Sequence, residues 1–253
     1  MSFNCGVVKK YVLAMTAVLL VFATLGWAAD EKSDKADSDI AKRMDKAADV
    51  LKEIESAPDN GIPDNILGDA KCIAVVPSMV KVAIGFGGSH GKGVATCRIA
   101  SGWSAPAPIT VTGGSWGLQL GGQAVDLVML VMNDKGMEHL LSSKFKVGAD
   151  ASAAAGPVGR HASADTDWKM KSEILTYSRS RGLFAGIDLS GTAISQDKDE
   201  TRILYEKMEP FPDILTGKVS PPKESRTFLA AIEKYAPPSP QQGKVERPKT
   251  ESK

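Results

Sequence analysis

Five apolar residues, Ile40, Met44, Ala47, Leu51 and Ile54, recur at intervals of three and four. That spacing lays one stripe along a helix, with Asp37, Ser38 or Asp39 as N-cap and Pro58-Asp59-Asn60-Gly61 and Pro63 as breakers. The other face carries Lys42, Arg43, Lys46 and Lys52 among Asp45, Asp49 and Glu53. Docking on a core accounts for such a face more often than lying on a membrane does.

From Lys71 to about Gln196 the pattern becomes strand-like. Cys72–Val76 and Val80–Phe86, divided by Pro77-Ser78, are apolar and β-branched, and Gly93–Ile99 and Ile109–Leu120 follow. Gly85, Gly87, Gly88, Gly91 and Gly93 read as a turn between strands. Ala124–Met132 is apolar on both faces, as a covered central strand is. Lys144–Gly159 is rich in Ala and Gly and reads as a strand packed close to another backbone. Ile174–Arg181 and Leu183–Ile194 complete the sheet; in the latter Leu183, Ala185, Ile187 and Leu189 share a face opposite Phe184, Asp188 and Ser190. Short helices are expected at Met137–Ser142, Lys198–Lys207 and Arg226–Tyr235. Strands gathered between terminal helices predict an α+β fold. The expected unit is a single domain over residues 39–236, its core a curved, mostly antiparallel sheet or barrel, flanked by the N-terminal amphipathic helix and the C-terminal helices.

The ends read differently. Lys9 and Lys10 precede the uncharged, mostly apolar run Tyr11–Leu25, and Gly26-Trp27-Ala28 offers small residues at a cleavage site. Residues 1–28 are therefore expected to be a signal peptide, with an uncleaved anchor as the alternative, 29–38 a charged linker, and 237–253 a disordered tail without apolar payload. A periplasmic or secreted protein, peripheral to a membrane at most, follows. Lys9 and Lys10 leave with the signal, so a formal charge of +1 becomes −1. A near-neutral chain is no general polyanion binder, which argues against nucleic acid. Cys72 and Cys97 lie in strand-like runs. Strand context reads as two buried small hydrophobes, and a disulfide requires those strands to be neighbours.

Tyr177–Gly191 (YSRSRGLFAGIDLSG) sets Arg179 and Arg181 on one face of an extended run, roughly 7 Å apart. Two guanidiniums so placed suit neighbouring phosphates or carboxylates, and equally suit surface ion pairs. This segment, with GKGVATCR at 91–98, GWSAP at 102–106, GSWGLQLGGQAVDLVMLVMN at 114–133 and GADASAAAGPVGR at 148–160, resembles the SYLF-domain family. The similarity runs from about Asp39 to about Tyr235. Family members are described as lipid-binding and include bacterial secreted proteins, a yeast actin-patch protein and a plant FYVE-containing protein. The resemblance implies a non-enzymatic domain that meets anionic phospholipid head groups or a membrane surface; a scaffold for an envelope protein is the alternative.

Enzyme motifs fail on context. Gly87-Gly88-Ser89-His90-Gly91 and Gly113-Gly114-Ser115-Trp116-Gly117 have nucleophile-elbow spacing, but strand-like sequence follows both. Ser78-Met79-Val80-Lys81 lacks the downstream motifs of penicillin-binding enzymes. Gly87–Lys92 is one residue short of a phosphate loop, and His90, His139 and His161 show no metal spacing. No cofactor or metal is implied. Asp126, a lone charge in an apolar strand, needs an arginine, a hydroxyl or backbone N–H groups.

The candidate lipid contacts are Arg179, Arg181, Arg160 and Lys92, with Trp103 and Phe184 as insertable aromatics. Four cations supply about 4 kcal/mol on an anionic bilayer, a millimolar Kd. One buried aromatic adds about 2 kcal/mol, which brings the Kd to tens of micromolar. That is reversible peripheral contact. A membrane-spanning barrel is disfavoured by few aromatics and a polar C-terminal tail.

Overall fold

The computed structural model describes residues 39–54, 61–84, 86–116, 121–159, 172–180 and 183–237. The expected signal segment, the linker, nearly all of the tail, Arg160 and Arg181 lie outside them. Among the described residues no helix is long and apolar enough to cross a membrane.

Helix α1 (39–54) forms where the stripe predicts it, and Ile40, Met44, Ala47, Leu51 and Ile54 are all buried. Its exposed face is the charged one, so the stripe seats on the sheet. Helix α2 (Asp64–Asp69) follows, and then the sheet begins with β1 (Cys72–Ile84), β2 (Phe86–Ile99), β3 (Gly102–Trp103), β4 (Ala107–Trp116) and β5 (Gly121–Val131). Helix α3 (Asp134–Leu141) precedes β6 (Lys144–Lys146), β7 (Ala153–Ala155), β8 (Ile174–Ser180), β9 (Leu183–Gly186) and β10 (Thr192–Gln196). Helices α4 (Lys198–Tyr205), α5 (Phe211–Leu215) and α6 (Arg226–Tyr235) close the chain.

Eight strands share one path, β6-β10-β4-β2-β1-β5-β8-β7, with β3 on β2 and β9 on β8. Among the described strands only β7 and β8 pair in parallel. The two end strands of the path are joined by a short turn in which Val147 bridges Ala151, so the sheet curls into a half-barrel. One apolar cluster, including Ile109, Val111, Leu127, Phe145, Ile194 and Phe211, covers one face of the sheet. A second, including Ile73, Val128, Leu130 and Leu175, carries α1, α2 and α6 on the other. The fold is thus α+β and mostly antiparallel, as the periodicity implied.

Four local expectations need correction. Pro77-Ser78 does not divide two strands; β1 runs through it with a bulge between Val76 and Met79, Ser78 taking φ 54°. The glycines at 87–93 are not a turn but part of β2. A Cβ on Gly93 would stand 2.2 Å from the Val75 carbonyl oxygen, so glycine here lets two backbones close under the bulge. Leu183–Ile194 is broken after Gly186, so Leu183, 59% exposed, and Leu189, buried, do not share a face, and Phe184 is buried. Cys72 and Cys97 are not free small hydrophobes; they face each other across β1 and β2 and are joined by a disulfide.

Candidate binding surface

Arg179 stands opposite Asp126 across β8 and β5. Its Nε donates to Asp126 Oδ2 at 2.7 Å, and a second nitrogen lies 2.5 Å from the same oxygen. Asp126 also accepts the Ser78 backbone N–H at 2.8 Å, which fixes the β1 bulge. Glu53, at the end of α1, forms a further ion pair with Arg179. The lone carboxylate thus finds an arginine and a backbone donor, as its burial demanded, and the arginine is enclosed by carboxylates.

Lys92 meets the same fate at the other end of α1. Its Nζ lies 2.8 Å from Asp197 and 3.0 Å from Glu200, and Glu200 also pairs with Arg43 of α1. Burial alone would raise the Asp197 carboxyl, but hydrogen bonds from Lys92, the Glu200 N–H and Thr110 hold it below the usual range. Burial likewise lowers Lys92, and the two carboxylates outweigh it, leaving the ammonium above its ordinary value.

Lys92 on β2 and Arg179 on β8 are separated by β1 and β5, about 14 Å across the sheet. The structure does not bring them together. Trp103 is 8% exposed and lies under the Arg98 guanidinium, 4.2 Å from the ring centroid. Arg98 in turn donates to the carbonyls of Ala70 and Ala236 at 2.9 and 2.8 Å, tying α2 to the end of α6. Phe184 is buried in the α1-side core. The four described candidates are therefore engaged inside the molecule: two in ion pairs, two in packing.

Two other surfaces present themselves. A shallow groove lined by Ile40, Ile203, Leu204, Glu206 and Glu224 carries carboxylates on its rim, the wrong sign for an anion. The second is formed by the far ends of β1, β2, β4 and β5. Met79, Val111 and Val125 mark the last core positions on these strands, all buried. One step further, Val80 (48% exposed) stands opposite His90 and Ala124, and His90 opposite Thr112; all are exposed. Pairing nonetheless continues to Ile84 and Phe86, so a four-stranded blade projects roughly 16 Å past the core.

Sequence gives the blade its charge. Between Asp69 and Asp126 the chain contains no Asp or Glu, while Lys71, Lys81, Lys92 and Arg98 fall inside that stretch. Lys71 pairs with Asp134, Lys92 with Asp197 and Glu200, and Arg98 is consumed by carbonyls. Lys81, half-buried on the blade, has no carboxylate partner among the described residues. Its surface signal, a long carboxylate-free run ending at exposed strand tips, was present in the sequence and outshone by the arginine pair. Mid-strand placement also removes both nucleophile elbows, since residues 87–91 and 113–116 lie within β2 and β4 rather than between a strand and a helix.

Comparison with known proteins adds the lineage. A family model described as "Ysc84: Las17-binding protein actin regulator" matches residues 112–235. The chain is 29% identical over 205 residues to the bovine SH3 domain-containing YSC84-like protein 1. It is 30% identical over 200 residues to Protein YSC84 of Saccharomyces cerevisiae. This chain belongs to the Ysc84, or SYLF, family. The matches span 78% and 76% of the chain but 60% of the bovine protein and 42% of the yeast protein. LAS seventeen-binding protein 3 of yeast is a further relative, 30% identical over 182 residues, 70% of this chain and 39% of that protein.

Proposed function

We propose that this SYLF domain is a non-enzymatic module that docks on a negatively charged membrane surface, and that it does so in the envelope of an exporting cell. The observation that carries the reading is the carboxylate-free blade with exposed positions and Lys81 unopposed. The acids that neutralise Lys92 and Arg179 elsewhere on the sheet, and that would repel an anionic surface, are absent from these strands. The Cys72–Cys97 bond supports an oxidising compartment, in line with the signal-like residues 1–28.

Co-sedimentation tests it, using protein isolated from expressing bacteria with its N-terminus fixed by intact mass. Vesicles of phosphatidylcholine with phosphatidylglycerol should carry down more protein than phosphatidylcholine alone, and added salt should reduce the difference. Lys81→Glu should reduce it further. Equal recovery from both vesicle types overturns the reading.

A protein partner is the second reading, favoured by the matching family's description as Las17-binding. Retention of one identified envelope protein in detergent, with no vesicle recovery, decides for it.

A further inference from the structure

Strands normally stop where there is nothing left to bury, because an unpacked sheet gains backbone hydrogen bonds and little else. The blade does not stop. Beyond Met79, Val80 and Lys81 and the facing positions 87–90, 112–114 and 123–124 are all exposed or half-buried. Its cross-strand rows are nearly bare. Gly114 pairs with Gly88, Gly88 with Val82, and Val82 with Gly122. In the next row Ser115, Gly87, Ala83 and Gly121 stand in register. The last row reverses the trend: Ile84 pairs with Phe86, and Phe86 with Trp116. The sequence thus places three large apolar residues, on three adjacent strand ends, at the point of the blade farthest from the core. Folding gives no reason for that position.

We propose that these strand ends, bearing Ile84, Phe86 and Trp116, enter the interfacial layer of an anionic bilayer. The inference rests on the membrane-surface reading above and names the contact that reading leaves open. Spacing supports a bilayer over a protein groove. Lys81 precedes Ile84 by three residues, about 10 Å along the strand, which matches the depth to which interfacial elements sink. A tip at the acyl boundary therefore sets Lys81 at the level of the phosphates. Because no carboxylate lies on these strands short of Asp126, nothing on the blade opposes an anionic headgroup layer. Tryptophan and phenylalanine at the end of a small-residue neck suit that layer, where one part of the element is dry and the next wet.

The same topology limits the depth. The outer edge of β4 is paired by β10 only as far as Gly113, and that of β5 by β8 only from Asp126. Residues 114–116 and 121–125 keep open backbone edges among the described residues, which hydrocarbon does not tolerate and headgroup water does. The blade is built to dip, not to span.

The test reads the intrinsic fluorescence of the chain, isolated as above, on phosphatidylcholine–phosphatidylglycerol vesicles with brominated acyl chains. Bromolipid should quench part of the wild-type emission, and Trp116→Phe should abolish that part. Phe86→Ser with Trp116→Ser should weaken vesicle affinity at least tenfold while leaving Tm within 2 °C, as expected for strand ends beyond the last core row. If the double variant does not fold, Gly114→Asp replaces it: a Cβ there meets nothing within 4 Å, and the new carboxylate should weaken anionic-vesicle binding by a similar factor. Wild-type sedimentation with no Trp116-dependent quenching and undiminished binding by the variants overturns the insertion while leaving surface docking in place. No sedimentation by the wild type overturns both.

Discussion

Asp126 and Arg179 face each other across two strands, and the carboxylate reaches past its partner to hold the Ser78 N–H of a third. One side chain thereby links β8, β5 and the bulge of β1, while Glu53 brings α1 to the same guanidinium. Arg43 and Glu200 form the corresponding clasp at the other end of that helix.

Arg179→Ala should therefore behave as a stability variant. Its side chain is 19% exposed and that of Asp126 13%, so the loss leaves a largely buried carboxylate underpaired. A cost of about 2 kcal/mol, or 4–8 °C in Tm, is expected from thermal unfolding. Vesicle affinity should change less than twofold, since the guanidinium already spends its donors on internal carboxylates.

Acid should unfold the domain through specific carboxyls. Burial pushes Glu173 up, but Lys135, the Ser152 N–H and the nearby His139 overcome it and hold it low, as Lys92, the Glu200 N–H and Thr110 hold Asp197. Groups depressed in the folded state stabilise it above their unfolded pKa, about 4, and that contribution is lost as pH falls through the lower folded value. Tm should thus drop below about pH 4. Asp197→Asn keeps an acceptor for the α4 N-cap, so it should lower Tm at pH 7 and flatten the acid limb.

Tyr177 is wholly buried, and among the described residues its hydroxyl meets no partner. Burial pushes its pKa upward. Removing an unsatisfied buried hydroxyl relieves a desolvation cost, so Tyr177→Phe should leave Tm unchanged or raise it by a few degrees. A fall of several degrees would mean that the hydroxyl is bonded after all.

Reduction should cost stability. The Cys72–Cys97 bond closes a 25-residue separation, which corresponds to about 3 kcal/mol of lost chain entropy in the unfolded state. Thermal melts with and without a reductant strong enough to reach a buried bond should differ by roughly 6–12 °C.

Much of this fold was legible because single residues carried the signal. The α1 stripe, the twice-covered strand β5 and helix α6 at Arg226–Tyr235 all read correctly from spacing. Errors arose where the backbone did something that side-chain period does not encode. A bulge let β1 continue past a proline, Gly91 and Gly93 served close approach rather than a turn, and the break after Gly186 separated exposed Leu183 from buried Leu189. The site was harder still. Arg179 and Lys92 advertise charge in the sequence, yet their neutralising partners come from 53 and 105 or more positions away, where no local pattern reveals them. The blade needed the register: only pairing shows that Ile84, Phe86 and Trp116 end together.

Hydrogen exchange on the chain with and without anionic vesicles tests the central claim most directly. Free blade amides should exchange faster than those of the core strands, since the blade's described positions past Met79 are exposed or half-buried. Vesicles should slow exchange in residues 80–84, 86–90, 112–116 and 121–124 and leave α1 and α6 unchanged. Protection appearing on α1 or β9 instead, or none anywhere while the protein is vesicle-bound, would contradict a membrane contact made by the blade.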